Sequence, residues 1–203
     1  MWAFRISYVG EQGWELYIDF ADGLALWDAL FEQQVCPIGI ETYANSRRLE
    51  KSLRLQNADL ETDVDLYEAG LARAVVKKAD FMGKTAYLQQ RSVESPSARL
   101  CTLSMLSNTD CEGVRRYPIG EWPILDEATG EVLVDSEGRR SYTTSLAYGP
   151  SLGKNLMLSY IPADLAEVGA TFLLEYFCEQ YPVRIEAVGA VPLLDPDNER
   201  AKS

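Results

Sequence analysis

The chain has 203 residues, enough to bury one sizeable core or two compact ones, and its 47% hydrophobic and 25% charged content is ordinary for a globular protein. A net charge of −12 repels a phosphate backbone, so no nucleic-acid partner is expected; no apolar run nears the ~20 residues of a membrane span, and without a leader the expected location is cytoplasmic. The chain has no histidine, which removes Ser–His and Cys–His nucleophilic catalysis and the commonest zinc ligand, and its four cysteines have no CxxC spacing, so they read as reduced thiols.

Residues 3–9 and 14–20 alternate apolar and polar side chains as two strands, with Gly10 and Gly13 supplying the backbone freedom of the connection. In such a hairpin Tyr8 and Glu15 face one another across the turn. A helix follows over about 22–34, capped by Asp22, with Leu24, Trp27, Leu30 and Phe31 as its apolar stripe, and Cys36-Pro37-Ile38-Gly39 ends it. A second helix covers about 41–51. On it Arg47 and Arg48 point about 100° apart, so only one of them can share a face with a given ligand carboxylate; the competing reading is an ion pair with Glu50 or Glu41.

Residues 53–58 are extended, and Asp59 to Glu68 reads as an acidic, solvated loop. It is not an EF-hand, because Val64 and Gly70 stand where that loop needs glycine and glutamate, and no metal site is expected. Gly10-Glu11-Gln12-Gly13 is likewise not a phosphate loop: it joins strand to strand and lacks the glycine spacing. Short structure near 67–76 and a helix over 84–91 close a first unit, and the polar stretch Ser92 to Ser97 places a boundary that gives domains 1–94 and 95–203.

Beyond it, strand-like runs near 98–106, 122–125, 131–135, 140–147, 154–161, 171–178 and 182–190, separated by turn signals such as Thr129-Gly130 and Glu137-Gly138, predict a small antiparallel barrel or sandwich. The loop Asn108 to Glu121, with Arg115 and Arg116, reads as a surface insertion. The fold class is therefore α+β.

The run Ser7 to Tyr17 resembles the Y-x-G-E-x-G-[WY]-E motif of the glycine-cleavage T-protein (aminomethyltransferase) family. Four further segments resemble that family in the same order: Asn45 to Lys51, Tyr67 to Leu71, Asp80 to Lys84, and Tyr142 to Pro150. The end, Val191 to Arg200, is similar to the tail of the branch fused to flavin-dependent dimethylglycine and sarcosine dehydrogenases. The resemblance implies a partial folate-binding unit followed by a small antiparallel β-barrel, tetrahydrofolate as cofactor, and a small amine-derived one-carbon donor. It implies that Glu15 binds the pterin and that Tyr8 stacks on or caps it.

Two departures stand out. The family's other substrate-binding arginine falls on Ala44, so either Arg47 substitutes for it in a shifted way as the contact for a ligand carboxylate, or this branch does not hold the folate glutamate tail there. The family's catalytic aspartate lies upstream of the first motif, in a portion about as long as this chain, so the resemblance implies no catalytic residue here. It implies part of a one-carbon transferase, or a non-catalytic subunit that completes a partner: an N-terminal half or an amine-oxidising flavoprotein. For a eukaryotic protein of this kind the expected compartment is the mitochondrial matrix.

Overall fold

The computed structural model describes residues 1–92 and 95–202; the expected boundary at Val93 and Glu94 lies outside the described residues. The chain is α+β, as its patterning predicts. The first unit opens with a two-stranded antiparallel sheet, β1 (Trp2–Phe4) and β2 (Glu15–Tyr17), joined by residues 5–14. These strands are shorter than the alternation suggested, and the register sets Phe4, not Tyr8, opposite Glu15. The physical reason lies in residues 7–10. Tyr8 turns inward to donate its hydroxyl to the Arg54 carbonyl at 2.7 Å, and Gly10 takes a left-handed φ of 71°, which takes this stretch off the ladder.

Helix α1 (Gly23–Glu32) follows a single 3₁₀ turn, with no side-chain bond from Asp22 capping it and no buried residue along it. Its expected apolar stripe is present but uncovered. The second helix is not regular either: Thr42–Arg47 is a π-helical turn running into α2 (Arg48–Glu50). The Arg48 amide bonds the Asn45 carbonyl, while its guanidinium Nε takes the Ala44 carbonyl that an α-helical amide would otherwise use. Helix α3 (Lys84–Arg91) matches the expected span.

The second unit is a six-stranded, wholly antiparallel sheet. Its strands are β3 (Ala98–Met105), β4 (Ile124–Leu125), β5 (Thr143–Gly149), β6 (Lys154–Pro162), β7 (Thr171–Tyr176) and β8 (Glu179–Val188), in the order β4-β7-β8-β3-β6-β5. The Pro123↔Tyr142 bridge and the Ile124 amide to Ser141 carbonyl bond (3.0 Å) bring the start of β5 back towards β4, curling the sheet into a barrel. Register shifts at Thr102/Leu103 and Thr143/Ser145 supply the bulges that such curvature needs. The run at 131–135 contributes only isolated bridges, Leu125↔Val132 and Val134↔Arg140.

Alternation sorts the barrel's side chains. Cys101, Leu103, Met157, Ile161, Phe172, Leu174, Val183 and Ile185 fill the inside. Leu100, Leu156, Leu158 and Ala147 face out and are covered by Leu49 of α2. Strands β3, β5 and β6 are therefore buried on both faces, which fixes α2 against the barrel. The C-terminal segment straps the two units: Leu193 and Leu194 amides bond the Glu50 carbonyl, and a one-turn helix α4 (Glu199–Lys202) starts on the Asp195 carboxylate. No helix among the described residues is long and apolar enough to cross a membrane.

Candidate functional site

The hairpin, the π-helical turn and the tail converge on Glu11 and Arg47. Arg47 lies on the hairpin side of its helix. Its guanidinium is bonded to Glu11, to Glu50 at 3.1 Å and to the Ser151 hydroxyl, and only 16% of the side chain is exposed. Arg200 from the tail reaches the same Glu11 carboxylate at 3.3 Å. Arg48, one residue on, points the other way into the protein, as the 100° step requires. A ligand carboxylate arriving at Arg47 therefore has to displace Glu11.

Tyr8 is half-buried, with its ring 5.4 Å from that of Tyr43 and tilted 48° to it. Burial is the main cause that raises its hydroxyl above the ordinary tyrosine range. Because that hydroxyl is committed to the Arg54 carbonyl, Tyr8 has its ring, not its oxygen, to offer a ligand. Arg54 is itself held by two bonds to the Ala69 carbonyl, at 3.1 and 2.9 Å, so the floor beneath Tyr8 is fixed.

Glu15 stands on β2, with Oε2 accepting the Tyr17 hydroxyl at 2.9 Å; that bond raises the Tyr17 hydroxyl. Its Oε1 has no protein partner among the described residues. No hydrogen bond or ring contact joins Tyr8 to Glu15 or Glu15 to Arg47 among the described residues, so the structure does not bring the three candidates together as a cluster.

The acidic stretch differs most from expectation. Asp59 and Glu68 are 1% and 5% exposed and are ion-paired, where a solvated loop was expected. Arg48 donates to Asp59 at 2.7 Å and to Ser145 at 2.6 Å, and the Asp59 carboxylate also accepts the Leu55 amide and the Ser145 hydroxyl, each at 2.8 Å. The Asp59 carbonyl takes the Tyr160 hydroxyl at 2.8 Å. Glu68 pairs with Arg139, which also holds Asp135 at 2.7 Å. These pairs bind the first unit to the barrel. Among the described residues no group of three or more carboxylate or thiol side chains is placed to hold a metal ion.

Gly10 was expected to serve the turn, but its close approach to Lys51 has no local pattern in the sequence. Lys51 is 4% exposed and runs over Gly10 to donate to the Leu194 and Asp195 carbonyls at 3.1 and 2.7 Å. A Cβ on Gly10 would stand 2.2 Å from the Lys51 Cγ, so the glycine is required by close approach as well as by its φ. The one signal for this in the sequence is that the glycine and the lysine both sit inside family motifs.

Comparison with known proteins agrees along the chain. Residues 1–79 match the family model described as the GCVT N-terminal domain, and residues 122–190 match the glycine cleavage T-protein C-terminal barrel domain. The chain is 35% identical over 190 residues to mitochondrial dimethylglycine dehydrogenase of Homo sapiens, covering 90% of this chain and 20% of that protein. It is 30% identical over 183 residues to an aminomethyltransferase of Prochlorococcus marinus (strain MIT 9303), covering 89% of this chain and 44% of that one. The chain thus spans from about a fifth to under half of these relatives' length. The crystal structure of the glycine cleavage system aminomethyltransferase T from Bartonella henselae has the same fold, with a TM-score of 0.77 over 96% of this chain and 50% of that chain, at 24% identity.

Proposed function

The chain belongs to the glycine cleavage T-protein family, and on that footing we propose that it is the tetrahydrofolate-binding part of a one-carbon transferase that takes aminomethyl or methyl groups from small amines. In this reading residues 1–94 are the later part of the folate-binding domain, 95–203 are the barrel that braces it, and other polypeptide completes the pocket. The observation that carries the reading is the ordered match of both family models along one chain, with the motif residue Glu15 on the paired strand β2 of the first unit.

The side chains suit the ligand. A carboxylate is acceptor-only, and the free Oε1 of Glu15 beside the half-used Oε2 suits the paired N–H donors of an amino-pyrimidine edge. The braced ring of Tyr8 suits a flat heterocycle. Arg47 is the contact for a ligand carboxylate, with Glu11 giving way. Tetrahydrofolate, when bound, supplies the nitrogen that receives the one-carbon unit. This chain orients the pterin and contributes no catalytic group, since the nearby carboxylates Glu11 and Glu50 are both engaged by Arg47.

A second reading rests on the 35% identity to dimethylglycine dehydrogenase: the same folate wall then serves as a non-catalytic module beside an amine-oxidising flavoprotein. Both readings need Glu15. In the complete protein, Glu15→Ala is expected to weaken tetrahydrofolate binding by about 1–3 kcal/mol, the scale of a hydrogen bond to a charged group left unmade. Calorimetric titration measures this, and an unchanged affinity in the variant contradicts the assignment of Glu15.

A further inference from the structure

The barrel carries a cleft of about 720 Å³ beside the end of β3 and the start of β6. Its charged lining is Arg115, Lys154 and Arg184, its aromatic lining is Tyr117 and Tyr148, and none of its lining side chains is acidic. That local sign runs against a chain whose net charge is −12. The loop that supplies Arg115 and Tyr117 falls between the stretches matched by the two family models, 1–79 and 122–190.

Strand pairing sets one wall of the cleft. Arg184 on β8 is the register partner of Ser104 on β3, and Tyr148 on β5 is that of Asn155 on β6. Lys154 and Arg184 both donate to Oε1 of Glu186, at 2.8 and 3.0 Å, and the Ser104 hydroxyl donates to the same oxygen at 2.6 Å. One carboxylate thus holds the two cations side by side, and each keeps further N–H donors for a ligand.

The loop after β3 sets the other wall. The Asp110 carboxylate accepts the Glu112 and Val114 amides, at 3.0 and 2.7 Å, and the Arg116 Nε at 2.7 Å. The Arg116 amide returns to the Asn108 carbonyl at 2.7 Å, and a bridge pairs Thr109 with Arg115. Neighbouring side chains alternate on extended backbone, so Arg116 serves Asp110 while Arg115 lines the cleft. The Arg115 guanidinium has no hydrogen-bond or ion-pair partner among the described residues.

We infer that this cleft binds a small phosphate monoester carrying a flat ring, the chemistry of a nucleoside monophosphate. Three cations against Glu186 leave a charge of about +2, which complements the roughly −1.5 to −2 of a phosphate monoester at neutral pH. The guanidinium forks of Arg115 and Arg184 match phosphate oxygens in pairs, and Lys154 adds a point charge. Tyr117 and Tyr148, 61% and 49% exposed, offer faces on which a base stacks. The cleft falls in the roughly 300–1,000 Å³ class of small-molecule sites, with room for the ring as well as the phosphate.

The test titrates the 203-residue chain calorimetrically with adenosine monophosphate, and separately with adenosine and with inorganic phosphate. One-to-one binding of the monophosphate is expected, about tenfold or more tighter than either part and weakening as salt is raised. Arg115→Ala is expected to weaken it about tenfold with an unchanged thermal midpoint, because that guanidinium holds nothing in the fold. Tyr117→Ala is expected to weaken the monophosphate severalfold and to leave inorganic phosphate unaffected. No saturable binding overturns the inference. So does binding that Arg115→Ala leaves unchanged, or a monophosphate held no tighter than inorganic phosphate.

Discussion

Asp59→Ala is expected to cost about 3–5 kcal/mol of stability, the scale for leaving one member of a buried ion pair without its partner. Arg48 and Asp59 are both fully buried, and the carboxylate also holds the Leu55 amide and the Ser145 hydroxyl. Removing it leaves the Arg48 guanidinium without its counter-charge, held only by neutral acceptors such as the Leu53 carbonyl and the Ser145 hydroxyl. It also unties residues 53–60 from β5, and with them the Arg54 carbonyl under Tyr8. Replacing both partners with apolar side chains, as in Arg48→Met with Asp59→Leu, is expected to recover most of the loss, because no charge is then left unpaired. Urea unfolding of the three variants measures this. A loss under about 1 kcal/mol for Asp59→Ala means that the pair does not hold the two units together.

Gly10→Ala is expected to cost about 2.5–5 kcal/mol. A left-handed φ costs an L-residue roughly 1–2 kcal/mol, and the methyl group collides with the Lys51 stem. Lys51 must then give up its bonds to the Leu194 and Asp195 carbonyls, worth about 1.5–3 kcal/mol for a charged donor. Loss of that strap frees the tail, so cleavage after residue 190 by a nonspecific protease should accelerate along with the fall in thermal midpoint. In a Lys51→Ala background the collision is gone, and Gly10→Ala is expected to cost only the backbone part, about 1–2 kcal/mol. Equal costs in the two backgrounds contradict the close-approach account.

The barrel was readable because its strands obey a period of two and are separated by turn residues such as Gly130 and Gly138, both of which adopt left-handed φ. Where the pattern stretched a strand too far, as at residues 3–9, a long-range bond drew the chain off the ladder: the Tyr8 hydroxyl leaves for a carbonyl 46 residues away. The acidic loop misled for the same reason. Nothing local marks Asp59 as the partner of Arg48 or Glu68 as that of Arg139, a residue 71 positions further on. Periodicity correctly marked the stripe of Leu24, Trp27, Leu30 and Phe31 on α1, but periodicity speaks of a face and not of its cover. The candidates Tyr8 and Glu15 were legible only through resemblance, since a tyrosine and a glutamate seven residues apart have no pattern of their own.

The central claim is that this chain orients a folate and depends on other polypeptide for the chemistry. The most direct test is formation of methylenetetrahydrofolate from a methylamine donor, followed with the purified 203 residues alone and again with an amino-terminal half supplied. The account predicts product only when both are present, and slower formation when Glu15 is replaced by alanine. Turnover by this chain alone contradicts it.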